Sequence, residues 1–204
     1  MTEPSRALGW GPNHCTHCGL PRNACVCAAL PRVITRTRVV IVRHAQERFR
    51  SSNTGRLAHL CLPNSEIVEP EALAQVPMQH AMLVFPTGEV PAAPPQPLPE
   101  RLLVLDASWS QARRMWRKLT PLRGVATLRL PEIQAPAARL RKAPGPGFVS
   151  TIEAVAAALR FLEGESSAAP LEQLYQHCVA RMRAIGRTGI AHDAAPSEFA
   201  DVDD

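Results

Sequence analysis

Five short apolar runs, Val39 to Val42, Glu66 to Val68, Ala81 to Phe85, Leu102 to Leu105 and Val125 to Leu130, are separated by stretches with helical spacing. The best of them are continuously apolar rather than alternating, as in strands covered on both faces of a parallel sheet. Helical patterns fall near Leu57 and at Glu71 to Gln75, Trp109 to Leu119, Thr151 to Glu163 and Leu171 to Ile185. This alternation predicts an α/β fold with a mostly parallel sheet flanked by helices. Ser108 with Gln111 and Ser150 with Glu153 have capping-box spacing, so each pair marks a helix start. Gly88 to Pro99 and Ala143 to Gly147 read as irregular loops, because closely spaced prolines continue neither strand nor helix.

The segment Arg101 to Leu119 carries the most chemistry. Its apolar run stops at Asp106, and a helix pattern follows with Trp109, Ala112, Trp116 and Leu119 on one face. Arg113, Arg114, Arg117 and Lys118 fall mostly on the other. Ligands of open α/β sheets bind beyond the carboxyl ends of strands. A carboxylate, a hydroxyl and an indole, those of Asp106, Ser108 and Trp109, are therefore placed where an anion could be handled. Asp and Ser are also ordinary helix caps and Trp an ordinary core residue, so residue type alone leaves both roles open.

At 204 residues the chain has room for one α/β domain with a proper core and a small appendage. No apolar run approaches the ~20 residues of a membrane span, and Met1 to Gly11 has no basic and apolar leader pattern, so a cytoplasmic protein without a membrane partner is expected. The formal charge of +5 understates the body of the chain. His192 to Asp204 holds five acidic residues and no Lys or Arg, which leaves residues 1–191 with 23 basic against 13 acidic side chains. Residues 192–204 are accordingly expected to be a disordered acidic tail. Basic residues concentrate at Arg32 to Arg50, Arg113 to Lys118 and Arg139 to Lys142. With only 4% aromatic residues, such clusters favour phosphate-backbone contacts over base stacking on an open platform.

Cys15, Cys18, Cys25 and Cys27 form C-x2-C-x6-C-x-C, whereas Cys61 and Cys178 stand apart. Four thiolates at such spacing can surround a tetrahedral Zn ion and leave it no open position, which makes the role structural. A redox motif is the rival reading, but no apolar strand leads into Cys15. His14 or His17 could replace one thiolate, and Cys61 and Cys178 read as small buried residues. The expected division is a four-cysteine zinc-binding module at 1–31, a main α/β domain at 32–191 and the tail.

Asp106-Ala107-Ser108-Trp109, followed by Gln111-Ala112-Arg113 and Met115, resembles the signature of the DTW-domain family, which takes its name from an Asp-x-Thr-Trp motif. Ser52-Asn53-Thr54-Gly55-Arg56-Leu57-Ala58, preceded by His44, Glu47 and Arg50, is similar to the family's H-P-x-E-x-x-R-x-S-N-T-G-x-L-A block. Leu83-Val84-Phe85-Pro86 resembles its second strand-end loop, and Val149-Ser150-Thr151-Ile152-Glu153-Ala154 its L-S-T-L-E-A block. The likeness runs from about Cys15 to about Gly186. Ser108 stands where the family usually has Thr, and Ala45 where it usually has Pro.

The resemblance implies a SPOUT-like α/β fold with a C-terminal trefoil knot. It also implies transfer of the aminocarboxypropyl group of S-adenosylmethionine to N3 of a tRNA uridine. Asp106, Ser108 and Trp109 would then be catalytic, with Asp106 deprotonating or orienting the uracil. Phe85, Pro86, Leu105, Ser108, Gln111, Val149, Ser150 and Thr151 would contact the donor. His44, Arg48, Arg50, Asn53, Thr54, Arg113, Arg114, Arg117 and Lys118 would contact the donor carboxylate, the target base or tRNA phosphates. Two other readings stay open, an RNA methyltransferase using the same donor and a non-catalytic zinc-containing RNA-binding protein. The pattern leaves the tRNA, the uridine position and the oligomeric state open.

Overall fold

All five runs enter one parallel sheet: β1 (Arg38–Arg43), β2 (Ser65–Val68), β3 (Ala81–Val84), β4 (Arg101–Asp106) and β5 (Ala126–Leu128), in the order β2-β1-β4-β3-β5. The computed structural model describes residues 11–131, 138–141, 147–187 and 189–190. Neighbouring residues of a strand point to opposite faces. Val39, Ile41, Leu102 and Val104 thus enter one apolar cluster, and Val40, Val42, Leu103 and Leu105 enter another. Burial on both faces removes any need for polar alternation.

Helices α1 (Thr54–Cys61), α3 (Thr151–Glu163) and α4 (Glu165–Ala184) cover the first face. Helix α2 (Trp109–Lys118) and the 3-10 turn Pro70–Gln75 cover the second, through Ala112, Met115 and Leu73. On α3, Ile152, Val155, Leu159 and Leu162 are buried, each worth about 1.5–3 kcal/mol. A two-residue antiparallel pair, β6 (Ala138–Arg139) with β7 (Gly189–Ile190), lies outside the main sheet.

Several boundaries differ from the sequence reading, three of them with consequences for the packing. β3 stops at Val84, leaving Phe85 beyond the strand, and the β5 ladder stops with it, at Leu128 opposite Val84 rather than at Leu130. Helix α4 begins at Glu165, six residues before Leu171, and runs through Pro170. Proline removes one backbone donor and normally ends a helix. Here buried Ser167 and Ala168 extend the inward stripe of Leu171, Leu174 and Tyr175 by a turn, so packing holds the helix across it.

Cys18, Leu20, Ala24 and Val26 belong to the same apolar cluster as α1, α3 and α4. Arg181 on α4 also donates to the Asn23 carbonyl at 2.8 Å. The cysteine segment is therefore packed into the main core rather than tethered to it. Among the described residues no helix is long and apolar enough to cross a membrane. The proposed acidic tail lies outside the described residues.

Candidate functional site

β1 and β4 end in register, Arg43 beside Asp106, and the His44 N–H donates to the Asp106 carbonyl at 2.9 Å. The Asp106 side chain turns inward and is 1% exposed. Asn53, the N-cap of α1, accepts from the Arg56 N–H at 2.7 Å, which fixes its amide with Nδ2 donating to Asp106 Oδ2 at 2.5 Å. Thr151, the first residue of α3, donates its hydroxyl to Asp106 Oδ1 at 2.7 Å. A Cβ on Gly55 would lie 2.6 Å from the Asp106 carboxyl carbon, so glycine is what lets the first turn of α1 come this close. One carboxylate thus joins the end of β4 to the first turns of two helices, whose N-terminal dipoles favour an anion.

Burial is nevertheless the largest influence on Asp106 and raises its pKa above the ordinary carboxylate range, against the hydrogen bonds from Asn53 and Thr151. The nearby Glu47 charge adds to the rise, and Arg141 opposes it. An activating base needs an oxygen facing its substrate. Both Asp106 oxygens accept from side chains, Oδ2 from Asn53 and Oδ1 from Thr151, so the carboxyl is tied to α1 and α3.

Around this node the surface is built from Ser108, Trp109, Gln111 and the 147–151 segment. Ser108 caps α2 with Gln111, whose Oε1 accepts from both the Ser108 N–H at 2.9 Å and its hydroxyl at 2.7 Å. Gln111 then donates to Gln46 at 2.5 Å. Trp109 is half-buried and meets Phe148 edge-on, with ring centroids 4.8 Å apart. Opposite them stands an arrangement the sequence reading missed. Glu47 is fully buried and takes a two-pronged contact from Arg141 at 3.0 and 2.6 Å, with Arg50 at 3.5 Å. Arg139 is also buried, pairing with Glu153 at 3.3 Å and donating to the Phe148 carbonyl. These two arginines clasp residues 139–141 and Phe148 onto the body of the protein.

A family model described as the DTW domain matches residues 12–183. The chain belongs to the DTW-domain family. Two curated relatives of this DTW domain are a tRNA-uridine aminocarboxypropyltransferase 2 from Macaca fascicularis, 25% identical, and a tRNA-uridine aminocarboxypropyltransferase A from Arabidopsis thaliana, 27% identical. The matched regions cover 73% of this chain in both cases, with 56% of the macaque protein and 72% of the Arabidopsis protein. The chain therefore spans little more than half of the macaque protein's length. No solved structure gives a significant match.

Within the DTW domain the residues singled out from sequence fall into distinct groups. Asp106, Asn53 and Thr151 are joined directly, and Thr54 is buried beside them in the first turn of α1. Asn53 and Thr54 are 1% and 4% exposed. Phe85 is buried and stacked on Trp116 with centroids 4.7 Å apart, and Leu105 is buried beside it in the second cluster. These two back the site, whereas Pro86, Ser108, Val149 and Ser150 remain at least partly open. Of the basic residues, Arg48 and Arg50 are exposed but lie within 3.6 Å and 3.5 Å of Glu69 and Glu47. His44 is half-buried and caps the turn at Ala45–Glu47 by accepting from the Gln46 N–H. Arg113, Arg114, Arg117 and Lys118 are exposed on α2, and among the described residues none has an ion-pair partner. The other two basic clusters differ from it. Arg38, Arg43, Arg48 and Arg50 of the first pair with Glu66, Glu69 and Glu47, and Arg139 and Arg141 of the third pair with the buried carboxylates of Glu153 and Glu47.

The four N-terminal cysteines of the DTW domain come together. Their sulfurs all lie within 4.8 Å of one another, with Cys15 to Cys27 at 3.6 Å and Cys18 to Cys25 at 3.8 Å. A tetrahedron with Zn–S bonds of about 2.3 Å has edges of about 3.8 Å. The spacing fits such an ion; burial opposes the Cys15 thiolate, but backbone N–H groups of Cys18 and His17 outweigh it and lower that thiol to about 6, whereas burial raises the thiols of Cys18 and Cys27. The group is all sulfur, without His14 or His17. Cys61 and Cys178 are fully buried, as expected, and burial pushes both thiols up to about 12, so they stay protonated.

Proposed function

We propose that this protein transfers the 3-amino-3-carboxypropyl group of S-adenosylmethionine to N3 of a tRNA uridine and releases methylthioadenosine. The observation that carries this reading is the DTW match over residues 12–183, in a family whose curated relatives bear that enzyme's name. A SPOUT-like assignment with a C-terminal trefoil knot belongs to the same proposal, and the five-stranded parallel sheet supports it. So does a cytoplasmic setting, in which the four thiols stay reduced and bind metal.

The donor's place is the strand-end surface between Pro86, Leu105 to Trp109, and Val149 to Thr151, with Phe85 behind it. The sulfonium supplies the leaving group, and three of its carbon bonds compete. Which carbon is attacked depends on which one lies in line with uracil N3 at near-attack distance. Position therefore decides the product. Asp106 holds the first turns of α1 and α3 and so fixes the walls of that site, while Ser108 and Trp109 face it from the start of α2. Zinc bound by Cys15, Cys18, Cys25 and Cys27 would supply structure only, because four thiolates fill its coordination sphere.

Product analysis tests the reading directly. Methylthioadenosine and an aminocarboxypropylated uridine are the expected products on incubation with tRNA and donor. S-adenosylhomocysteine would mark a methyltransferase instead, and tRNA binding without either product would mark a binding protein.

The unpaired basic face of α2 is the proposed tRNA contact. Affinity should fall steeply with salt, with a slope of roughly 0.7–0.9 per phosphate contact on a log–log plot. Charge reversal at Arg113 or Arg114 should weaken binding and lower that slope by about one contact or more. Reversal at Arg48 should do less, since Glu69 already shares its charge. A flat salt response measured by filter binding or anisotropy would contradict the assignment.

A further inference from the structure

Beyond the strand-end surface, a cavity of about 540 Å³ opens between α2, the 120–125 turn and the edge strand β5. That is within the roughly 300–1,000 Å³ range of small-ligand sites. Trp116, Leu122 and Val125 give it an apolar floor, Thr127 lies along its edge, and Arg117 and Arg123 stand at its mouth. The Trp116 indole is braced by its stack on buried Phe85, so its orientation is set from behind while it lines the cavity in front. Both arginines are exposed, and among the described residues neither has an ion-pair partner. A braced indole beside two uncommitted guanidinium groups matches a nucleotide, with a flat base for the ring and a phosphate for the charges.

We propose that this cavity holds a nucleotide flanking the reacting uridine, its base against Trp116 and its phosphate between Arg117 and Arg123. This rests on the RNA reading above and deepens it. Trp116 lies seven residues beyond Trp109 on α2, about 10 Å along the helix axis at 1.5 Å per residue. That spacing puts the cavity next to the reaction site without overlapping it. A pocket in this place selects the sequence or shape beside the target, which phosphate contacts alone do not do. Sparse aromatics do not argue against it, since one held ring suffices for one base.

Cytidine 5′-monophosphate is a suitable probe, being neither the proposed acceptor base nor the adenosine of the donor. The chain has three tryptophans, Trp10, Trp109 and Trp116, so its indole N–H resonances can be assigned by single Trp-to-Phe variants. Titration of the full chain should shift the Trp116 resonance and leave Trp109 in place. Arg123→Ala should retain the thermal midpoint, because its side chain is exposed, yet weaken this binding roughly tenfold or more, the worth of a charge-assisted contact. Arg123→Lys should recover part of the loss. An unmoved Trp116, a shift at Trp109 instead, or an equal shift with inorganic phosphate alone would overturn the proposal. A shift produced by an acidic peptide but not by the nucleotide would overturn it too, making the cavity a protein-docking site. Transfer with an unmoved Trp116 defeats this inference alone, whereas a shifted Trp116 in a protein that makes no methylthioadenosine defeats the proposed reaction alone.

Discussion

Asp106→Ala is expected to lower transfer by at least about a hundredfold, the scale of a misplaced reacting geometry, and to lower the thermal midpoint as well. The substitution strands the Asn53 amide and the Thr151 hydroxyl, both now bonded to the carboxylate. Each unsatisfied group costs about 1–3 kcal/mol, and for a domain of this size the sum corresponds to a fall of roughly 5–15 °C. Asp106→Asn should behave differently. Its carbonyl can accept from Asn53 and its amide can donate to the Thr151 hydroxyl, so it should fold and keep transfer within about tenfold of wild type. A loss of two to four orders of magnitude that recovers as pH rises would instead make Asp106 the base for uracil N3, a step of about that worth.

Stability supplies an independent reading of the same pair of proteins. Burial raises the Asp106 pKa, so the folded protein holds that proton more tightly than the unfolded chain. The wild type is then at its best relative to Asp106→Asn below the ordinary carboxylate range, and loses ground as pH rises from there through the raised value. Calorimetry should therefore show the Asn variant gaining on wild type between acidic and neutral pH. A gap that is constant with pH would mean that the carboxyl is not perturbed.

Removal of zinc, by a strong chelator or through Cys18→Ser, should have the other large effect. Structural zinc contributes an apparent ~10–16 kcal/mol in small zinc-finger peptides, as much as the ~5–15 kcal/mol that holds a whole domain folded. Cys18 is fully buried, and Leu20, Ala24 and Val26 beside it share a core with α1, α3 and α4. The damage should therefore spread into the body, with a fall in midpoint well above 10 °C on the usual scale for this length. Elemental analysis should find one zinc per chain. Protein purified without stoichiometric zinc, or Cys18→Ser protein melting like wild type, would exclude the assignment.

The strands were readable because β1 and β4 are buried on both faces, and a run such as Val39 to Val42 has few other meanings. Ends were harder. Nothing local stops β5 at Leu128; the limit is its partner β3, more than forty positions earlier in the chain. Proline misled the start of α4, because a local rule was outweighed by packing of Ala168 and Leu171. The site shows the same division. Asp106 was visible as the charge that ends an apolar run. Glu47 was not, since one acid among the arginines from 32 to 50 looks solvated, and its partner Arg141 lies 94 positions away. For the same reason Arg139 and Arg141 looked like RNA contacts until their buried carboxylates were seen. Gly55 carried a signal in its S-N-T-G setting, but only the 2.6 Å approach to Asp106 explains it.

The joining of the cysteine segment to α4 also bears on synthesis. Leu20 and Ala24 leave the ribosome well before α4, yet part of their cover comes from that helix, which spans Glu165–Ala184. The four thiols lie close together in sequence, while the greasy side of that loop waits bare until α4 emerges. Native packing is then a late event, completed when α4 docks and Arg181 reaches Asn23. A ribosome stalled before residue 165 would release a chain with its core open, a product suited to chaperone capture or proteolysis rather than to partial activity.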